Sequence, residues 1–406
     1  MLKLDNHRYS PALFQQIVEL AGRLKSFEQA ALAFRVLTKV QISGRHIDNL
    51  TAEIGTELAQ ARDERVARHR RRQLPPQAQD VPAVVAVEVD GGRLGTRRPG
   101  CGPGVHQAQN KEDKVACFVS LDSTTSDTDP QAEPPPSFLR PRRVARLVQQ
   151  MQGQAAAAQP EPDPAPQAPT PGADAVVDEA PEGSPQKVVR TCLASMANSR
   201  AFGPMMAAEA QARGFYQAPK QAFLGDGAPY NWKIQRGYFP HFVPITDFLH
   251  VLCYVYLAAW AVGGEDAQRW ALYVEWLRAC WQGRVAEVIA QLGIWQERLG
   301  PLREGGPPEE NAAREQVQES LGYLRNNQER MDYPRYRREG LPVTSSLVES
   351  LVGEFNARVK GKDKYWNRSA GAEAILQVRA ALLSEDDRLA RHFADRPGNP
   401  YRRRAS

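Results

Sequence analysis

Three acidic residues stand where catalytic carboxylates would have to stand. Asp90 follows the apolar, β-branched run Ala83-Val-Val-Ala-Val-Glu-Val89 and precedes Gly91-Gly92. Asp226 follows the strand-like Gln221-Ala-Phe-Leu224 and is flanked by Gly225 and Gly227. Glu349 lies in the helical pattern Ser345-Ser-Leu-Val-Glu-Ser-Leu-Val-Gly-Glu354. Two carboxylates at strand ends plus one on a packing helix suit metal-dependent phosphodiester chemistry. Mg²⁺ prefers oxygen ligands and keeps several waters, so few carboxylates suffice. Two such ions ~4 Å apart stabilise both the attacking and the leaving oxygen of an in-line displacement. A glycine beside each aspartate lets an ion or phosphate approach the backbone. Spacing alone does not single these three out among 47 acids. Asp-Gly after a strand is equally a turn signal. Glu354 competes with Glu349, because the two flank the apolar stripe Leu347, Val348, Leu351, Val352, Phe355 and Val359 on opposite sides.

The elements that must position these acids follow from local pattern. Residues 11–61 read as helical. Ser10-Pro11 is a helix start, Ser26-Phe-Glu-Gln29 a capping box, and Ser43 opens a third helix through Ile47, Leu50, Ile54 and Leu58. Two short helices, a tight connection at Val40-Gln-Ile42 and a helix with Arg45, His46 and Asn49 in its first turns predict a helix-turn-helix reader of DNA; an ordinary helical bundle fits the same pattern. Arg62 to Arg72 holds six arginines and two acids, a solvated helix end or a phosphate-contacting arm ending in Arg70, Arg71 and Arg72. Residues 83–89, 114–121, 221–224 and 241–246 predict strands, residues 138–151 and 188–213 helices. Residues 153–186 are Ala/Pro-rich and acidic, without an aromatic residue, and are expected to be a disordered insertion. From Asp247 to about Asp395 the pattern is nearly all helix, with breaks at Gly263-Gly264, Gly305-Gly-Pro-Pro308 and Tyr333-Pro334.

Composition sets the outer bounds. The chain has 406 residues, enough for two or three domains. Its net charge of +5 is too small to argue for nucleic acid by itself. The five cysteines form no CxxC pair, which disfavours a disulfide framework or a structural zinc. The N-terminal residues lack the apolar core of a signal peptide. The longest apolar stretch, Phe248 to Val262, falls short of a membrane span and contains His250. A cytoplasmic, non-membrane protein is the expectation.

Several segments in fixed order carry a resemblance. They are Val87-Glu-Val-Asp-Gly-Gly-Arg-Leu94, Lys111-Glu-Asp-Lys-Val-Ala-Cys117 and Val189-Arg-Thr-Cys-Leu-Ala-Ser-Met196. Phe223-Leu-Gly-Asp-Gly-Ala-Pro-Tyr-Asn-Trp232, Tyr238-Phe-Pro240 and Ile245-Thr-Asp-Phe-Leu-His250 follow. Ser346-Leu-Val-Glu-Ser350, Tyr365-Trp-Asn-Arg-Ser-Ala-Gly-Ala372 and Arg379 complete the set. Their order resembles the DDE transposases of bacterial insertion sequences, in the group related to the eukaryotic Mutator elements. The resemblance covers nearly the whole chain apart from the Pro/Ala-rich segment.

That resemblance implies an RNase H-like core with Asp90, Asp226 and Glu349 as catalytic triad and ligands of Mg²⁺ or Mn²⁺. It selects Glu349 over Glu354. It also implies an accessory pair, Asp247 and His250, whose role is either catalytic or that of a helix cap with a nearby imidazole; Asp247 is the runner-up for the second acid. Lys360 shares the flank of Glu349 and is expected to steer DNA phosphate. The fold class expected is α+β. Residues 1–80 form a helical DNA-binding domain with a basic arm, 81–152 and 187–250 two parts of the RNase H-like core around the 153–186 insertion, 251–340 a helical insertion, and 341–406 the glutamate-bearing and C-terminal helices. The implied function is transposition, with element ends and target DNA as partners and a homo-oligomer as the working form. A catalytically silent DNA-binding descendant and an RNase H-like nuclease are the rivals.

Overall fold

A computed structural model describes residues 9–76, 81–97, 109–152, 185–305, 307–344, 354–355, 358–359, 366 and 369–396. The segment expected to be disordered lies outside them except at its end, as do Glu349, Lys360 and Cys101.

Three serine caps start the chain. α1 (Pro11–Arg23), α2 (Phe27–Thr38) and α3 (Gly44–Arg70) begin after Ser10, Ser26 and Ser43. Their hydroxyls accept from Leu13 N at 3.3 Å, Gln29 N at 3.1 Å and His46 N at 3.2 Å. Each satisfies one of the otherwise orphaned N–H groups of a first helical turn. The return contact expected from the Gln29 side chain is not among the bonds of the described residues.

The sheet is mixed. β1 (Val84–Thr96), β2 (Gln109–Asp122) and β3 (Gln186–Ser195) are antiparallel neighbours, while β4 (Lys220–Gly225) runs parallel to β1 and β5 (Val243–Thr246) parallel to β4. The order across the sheet is β3-β2-β1-β4-β5. Two expectations need correction here. The reading of 188–213 as helical is half right: α5 (Ser199–Ala212) starts only after Asn198, whose side chain accepts from Ala201 N. Before it, Lys187, Val189 and Thr191 join a ladder with β2, a partner that no local pattern reveals. Asp90 also does not end its strand, because β1 continues through the glycines to Thr96 against β2. What stops at Val89 is the parallel pairing to β4.

Side-chain alternation splits the interior into two layers. Val85, Val87, Val89, Phe118 and Phe223 pack with Phe202 and Met206 of α5 and Trp232 of α6 (Pro229–Tyr238). Ala86, Leu94, Val115, Leu224 and Ile245 face the opposite way. They pack against α4 (Pro141–Met151) and the helical block α7 (Phe248–Ala261), α8 (Asp266–Trp281), α9 (Val285–Leu299), α10 (Pro308–Asn327) and α11 (Tyr333–Arg338). The block breaks where Gly263 and Gly264 take positive φ, and again at Gly283 (φ 77°), which the sequence reading did not mark. The expected break at Tyr333-Pro334 falls where α11 opens, after α10 has ended at Asn327. No helix of the described residues is long and apolar enough to cross a membrane.

The N-terminal helices share a core with the last two, α12 (Ser369–Leu383) and α13 (Arg388–Asp395). Phe14, Ile17, Phe34, Ile47, Leu50 and Ile54 form one cluster with Val378, Ala381, Leu389 and Phe393. The backbones of α3 and α12 approach so closely at Gly55 that a Cβ there would lie 2.2 Å from Ala374 O. Gly55→Ala is expected to cost about 1–3 kcal/mol by overpacking, read as a lowered urea midpoint at unchanged m-value.

Candidate functional site

The parallel strands deliver three aspartates to one edge. Val89 pairs with Gly225, and Gly225 with Thr246. The next residues are Asp90 within β1, Asp226 just past β4 and Asp247 just past β5, on strands about 4.8 Å apart. Two tyrosines mark the row. Burial pushes the Tyr230 hydroxyl up, and the Asp226 and Asp90 carboxylates push it further. Burial likewise raises Tyr323, with Asp247 and Asp226 adding to it. Asp226 thus sits within electrostatic reach of both rings, between the other two acids.

Each aspartate also has a local structural task. Asp226 Oδ1 accepts from Ala228 N and from Asn231 Nδ2, both at 2.8 Å, which folds the turn into α6. Gly227 in that turn has φ +97°, and a Cβ there would stand 2.5 Å from the Tyr323 ring. The Tyr323 hydroxyl donates to Asp226 O at 2.9 Å. Asp226 Oδ2 has no hydrogen bond among the described residues. Asp90 Oδ1 accepts from Gly91 N at 2.6 Å.

Asp247 is buried and caps α7: its Oδ1 accepts from Leu249 N at 3.3 Å, and its own N–H donates to Gly225 O at 3.0 Å. His250 Nε2 lies 3.8 Å from Asp247 Oδ2. This is the geometry of a cap with an imidazole alongside. Asp247→Ala should therefore cost about 1 kcal/mol through the lost cap, while Asp247→Asn keeps most of the stability; thermal melting of the two variants checks this.

Several charged neighbours are not evident from the sequence. Glu88 and Asp113 are both about 1 % exposed. Alternation puts Glu88 on the face of Asp90. Asp113, opposite Gly92, is one diagonal step from Asp90, about 7–8 Å between such positions. Lys114 is equally buried; its ammonium donates to Glu112 at 2.6 Å and stands 4.0 Å from the centre of the Tyr230 ring. The signal for Glu88 was the alternation Val84, Ala86, Glu88, Asp90. Nothing local marks Asp113 or Lys114, because charges in a strand usually face water.

Among the described residues no group of three or more His, Cys, Asp or Glu side chains is arranged to hold a metal ion. Two acids of the expected triad, Asp90 and Asp226, lie among the described residues; the third, Glu349, lies outside them, as does Lys360. The chain enters that undescribed stretch beside Asp247, since Val343 O accepts from Phe248 N at 3.0 Å. It reappears with Phe355 and Val359 buried in the same cluster as Ala86 and Leu94 of β1. The Arg379 guanidinium donates to Glu354 O and to Gly22 O, tying this stretch to α1 and α12.

The residues expected to read DNA are spread over α3. Arg45 and Asn49 are exposed in its first turns; His46 is half-buried beside Tyr9, with ring centroids 5.9 Å apart. Arg70, Arg71 and Arg72 are exposed at its end. The arginine run is only partly a free arm: Arg62 pairs with Glu373 at 2.5 Å and Arg65 with Glu209 at 2.6 Å. In comparison with known proteins, the chain matches no family model and no curated protein.

Proposed function

We propose that the protein is a DNA transposase with an RNase H-like core, in which Asp90, Asp226 and Glu349 form the catalytic carboxylate set. The observation that carries this reading is the placement of Asp90 and Asp226 side by side, one step beyond the parallel pairing of β1 and β4, in a sheet ordered β3-β2-β1-β4-β5. The burial of Phe355 and Val359 in the core cluster that includes Ala86 and Leu94 of β1 supports assigning the third acid to the stretch just before them.

The donor chemistry suits Mg²⁺ or Mn²⁺: carboxylate oxygens are hard ligands, and Asp226 Oδ2 is left unbonded by the turn that Oδ1 holds. A divalent ion bound there supplies Lewis-acid polarisation of the phosphoryl oxygens and lowers the pKa of its water. The protein's own part is positioning. Asn231 and the Ala228 N–H fix the Asp226 carboxyl, and Tyr323 fixes its backbone. In this reading Asp247 and His250 are supporting residues, and the exposed Arg45 and Asn49 read the element's ends.

The test uses the full chain, because α1–α3 share a core with α12 and α13. Labelled element ends and a supercoiled target are incubated with Mg²⁺. Cleavage at the end followed by joining to the target is the expected result. Cleavage without joining points to a nuclease, and binding without either to a silent DNA-binding protein; both overturn the proposal.

A further inference from the structure

We infer that α4 presents a second DNA-backbone contact surface, on the helical-block side of the sheet. This rests on the transposase reading for its partner and adds a surface which that reading does not need.

Arg140, Arg142, Arg143 and Arg146 are all exposed, and their guanidinium groups make no ion pair or hydrogen bond among the described residues. No Asp or Glu occurs from Pro134 to Pro160. Several exposed arginines on other helices have acids beside them: Arg278 with Glu133 at 3.0 Å, Arg284 with Glu287 at 2.5 Å, Arg335 with Asp332 at 3.6 Å, Arg391 with Asp386 at 2.9 Å. On α4 that neutralisation is missing altogether.

The arrangement also costs stability. Three of the four arginines sit at the helix N-terminus, where the macrodipole is positive and acids are the favourable residues. A local rule broken without gain inside the fold is the mark of a functional surface.

The helix is held rigidly beneath these charges. Val144 and Val148 are buried in the core cluster and Leu147 and Met151 pack against it. Cys253 Sγ lies 3.0 Å from Met151 Sδ. At 3.6 residues per turn, Arg142, Arg143 and Arg146 fall within about 100° of one another, opposite that apolar stripe. A membrane-surface helix would need apolar side chains to insert; here they are all turned inward. A rigid, purely cationic face fits the regular phosphates of a duplex.

The test compares the full-length chain with a triple variant, Arg142→Gln, Arg143→Gln and Arg146→Gln, binding a labelled duplex of arbitrary sequence at several salt concentrations. Three lost phosphate contacts should lower the slope of log K against log salt by about 2.7 and affinity at 0.15 M salt by roughly tenfold or more. Melting temperature should stay unchanged, since the side chains hold nothing in the fold. Salt-dependent binding by the native chain, unchanged in the variant, overturns the α4 surface and leaves the transposase reading standing. Absent binding by the native chain sinks both. Unchanged DNA binding with a lower melting temperature would assign the face to the chain's own residues 153–184, which carry six acids and no basic residue. Unchanged DNA binding with lost binding to phosphatidylserine vesicles would assign it to a membrane.

Discussion

Asp90→Asn and Asp226→Asn are each expected to lower Mg²⁺-dependent end cleavage and strand transfer by more than about 100-fold, with the fold intact. Changing residues that only support a metal ligand costs about 10–100-fold, so removing the charge of a direct ligand should cost more. The fold survives because the bonds involved need only a carbonyl oxygen. An asparagine at 226 can still accept from Ala228 N and Asn231 Nδ2, and one at 90 from Gly91 N. With no metal bound, the variants should melt at or above the native temperature, since crowded carboxylates repel. Glu349→Gln is expected to behave like the two aspartate variants. Glu354→Gln should stay active, because Arg379 takes the backbone carbonyl of Glu354. The checks are melting temperature and end cleavage on each purified variant. Full activity in Asp226→Asn beside a folded, inactive Asp247→Asn would move the second acid to β5.

The largest effect on stability is expected at Glu209. Its carboxylate is buried in α5 and joins three elements, with Arg388 of α13 at 2.6 Å and Arg65 of α3 at 2.6 Å. Glu209→Ala leaves both guanidiniums without this partner, and breaking a buried pair in that way costs about 3–5 kcal/mol. Burial pushes the Glu209 carboxyl up, but Arg388 and Arg65 outweigh it and bring the group from 4.5 down to about 2. A depressed folded pKa stabilises fully above the unfolded value and is lost as pH falls through the folded one. Glu209 therefore contributes about 3 kcal/mol at neutral pH, at 1.36 kcal/mol per unit, and that contribution fades between about pH 4.5 and 2. Urea unfolding from pH 7 to pH 3 should show a steep acid loss in the native chain and a flatter one in Glu209→Gln. Equal slopes would remove Glu209 from the account.

The parts of the fold set by near neighbours were legible in the sequence. Ser10, Ser26 and Ser43 cap helices because a cap bond spans three residues. The turn at Asp226 was legible because Gly-Asp-Gly after a strand is a turn signal, and the Asp226 carboxylate holds that turn. Features set by distant partners were not legible. β3 depends on its ladder with β2, more than 60 residues earlier in the chain. Gly91 reads as a turn residue, yet it lies within a strand; a Cβ there would come 3.1 Å from the Tyr230 hydroxyl. Arg62 and Arg65 read as a free basic arm because Glu373 and Glu209, their partners, are 311 and 144 residues away. The place of Asp113 and Lys114 opposite Gly92 and Gly91 follows only from the register of β1 and β2.

Whether Asp90 and Asp226 share divalent metal is tested most directly by anomalous scattering from crystals grown with Mn²⁺. The expected result is a peak within about 2.0–2.3 Å of a carboxylate oxygen from each aspartate, a distance usual for small divalent ions on oxygen, and its loss in Asp90→Asn crystals. Carboxylates more than about 10 Å apart, or a peak bound by neither residue, would contradict it, because ions of a two-metal site lie only ~4 Å from each other.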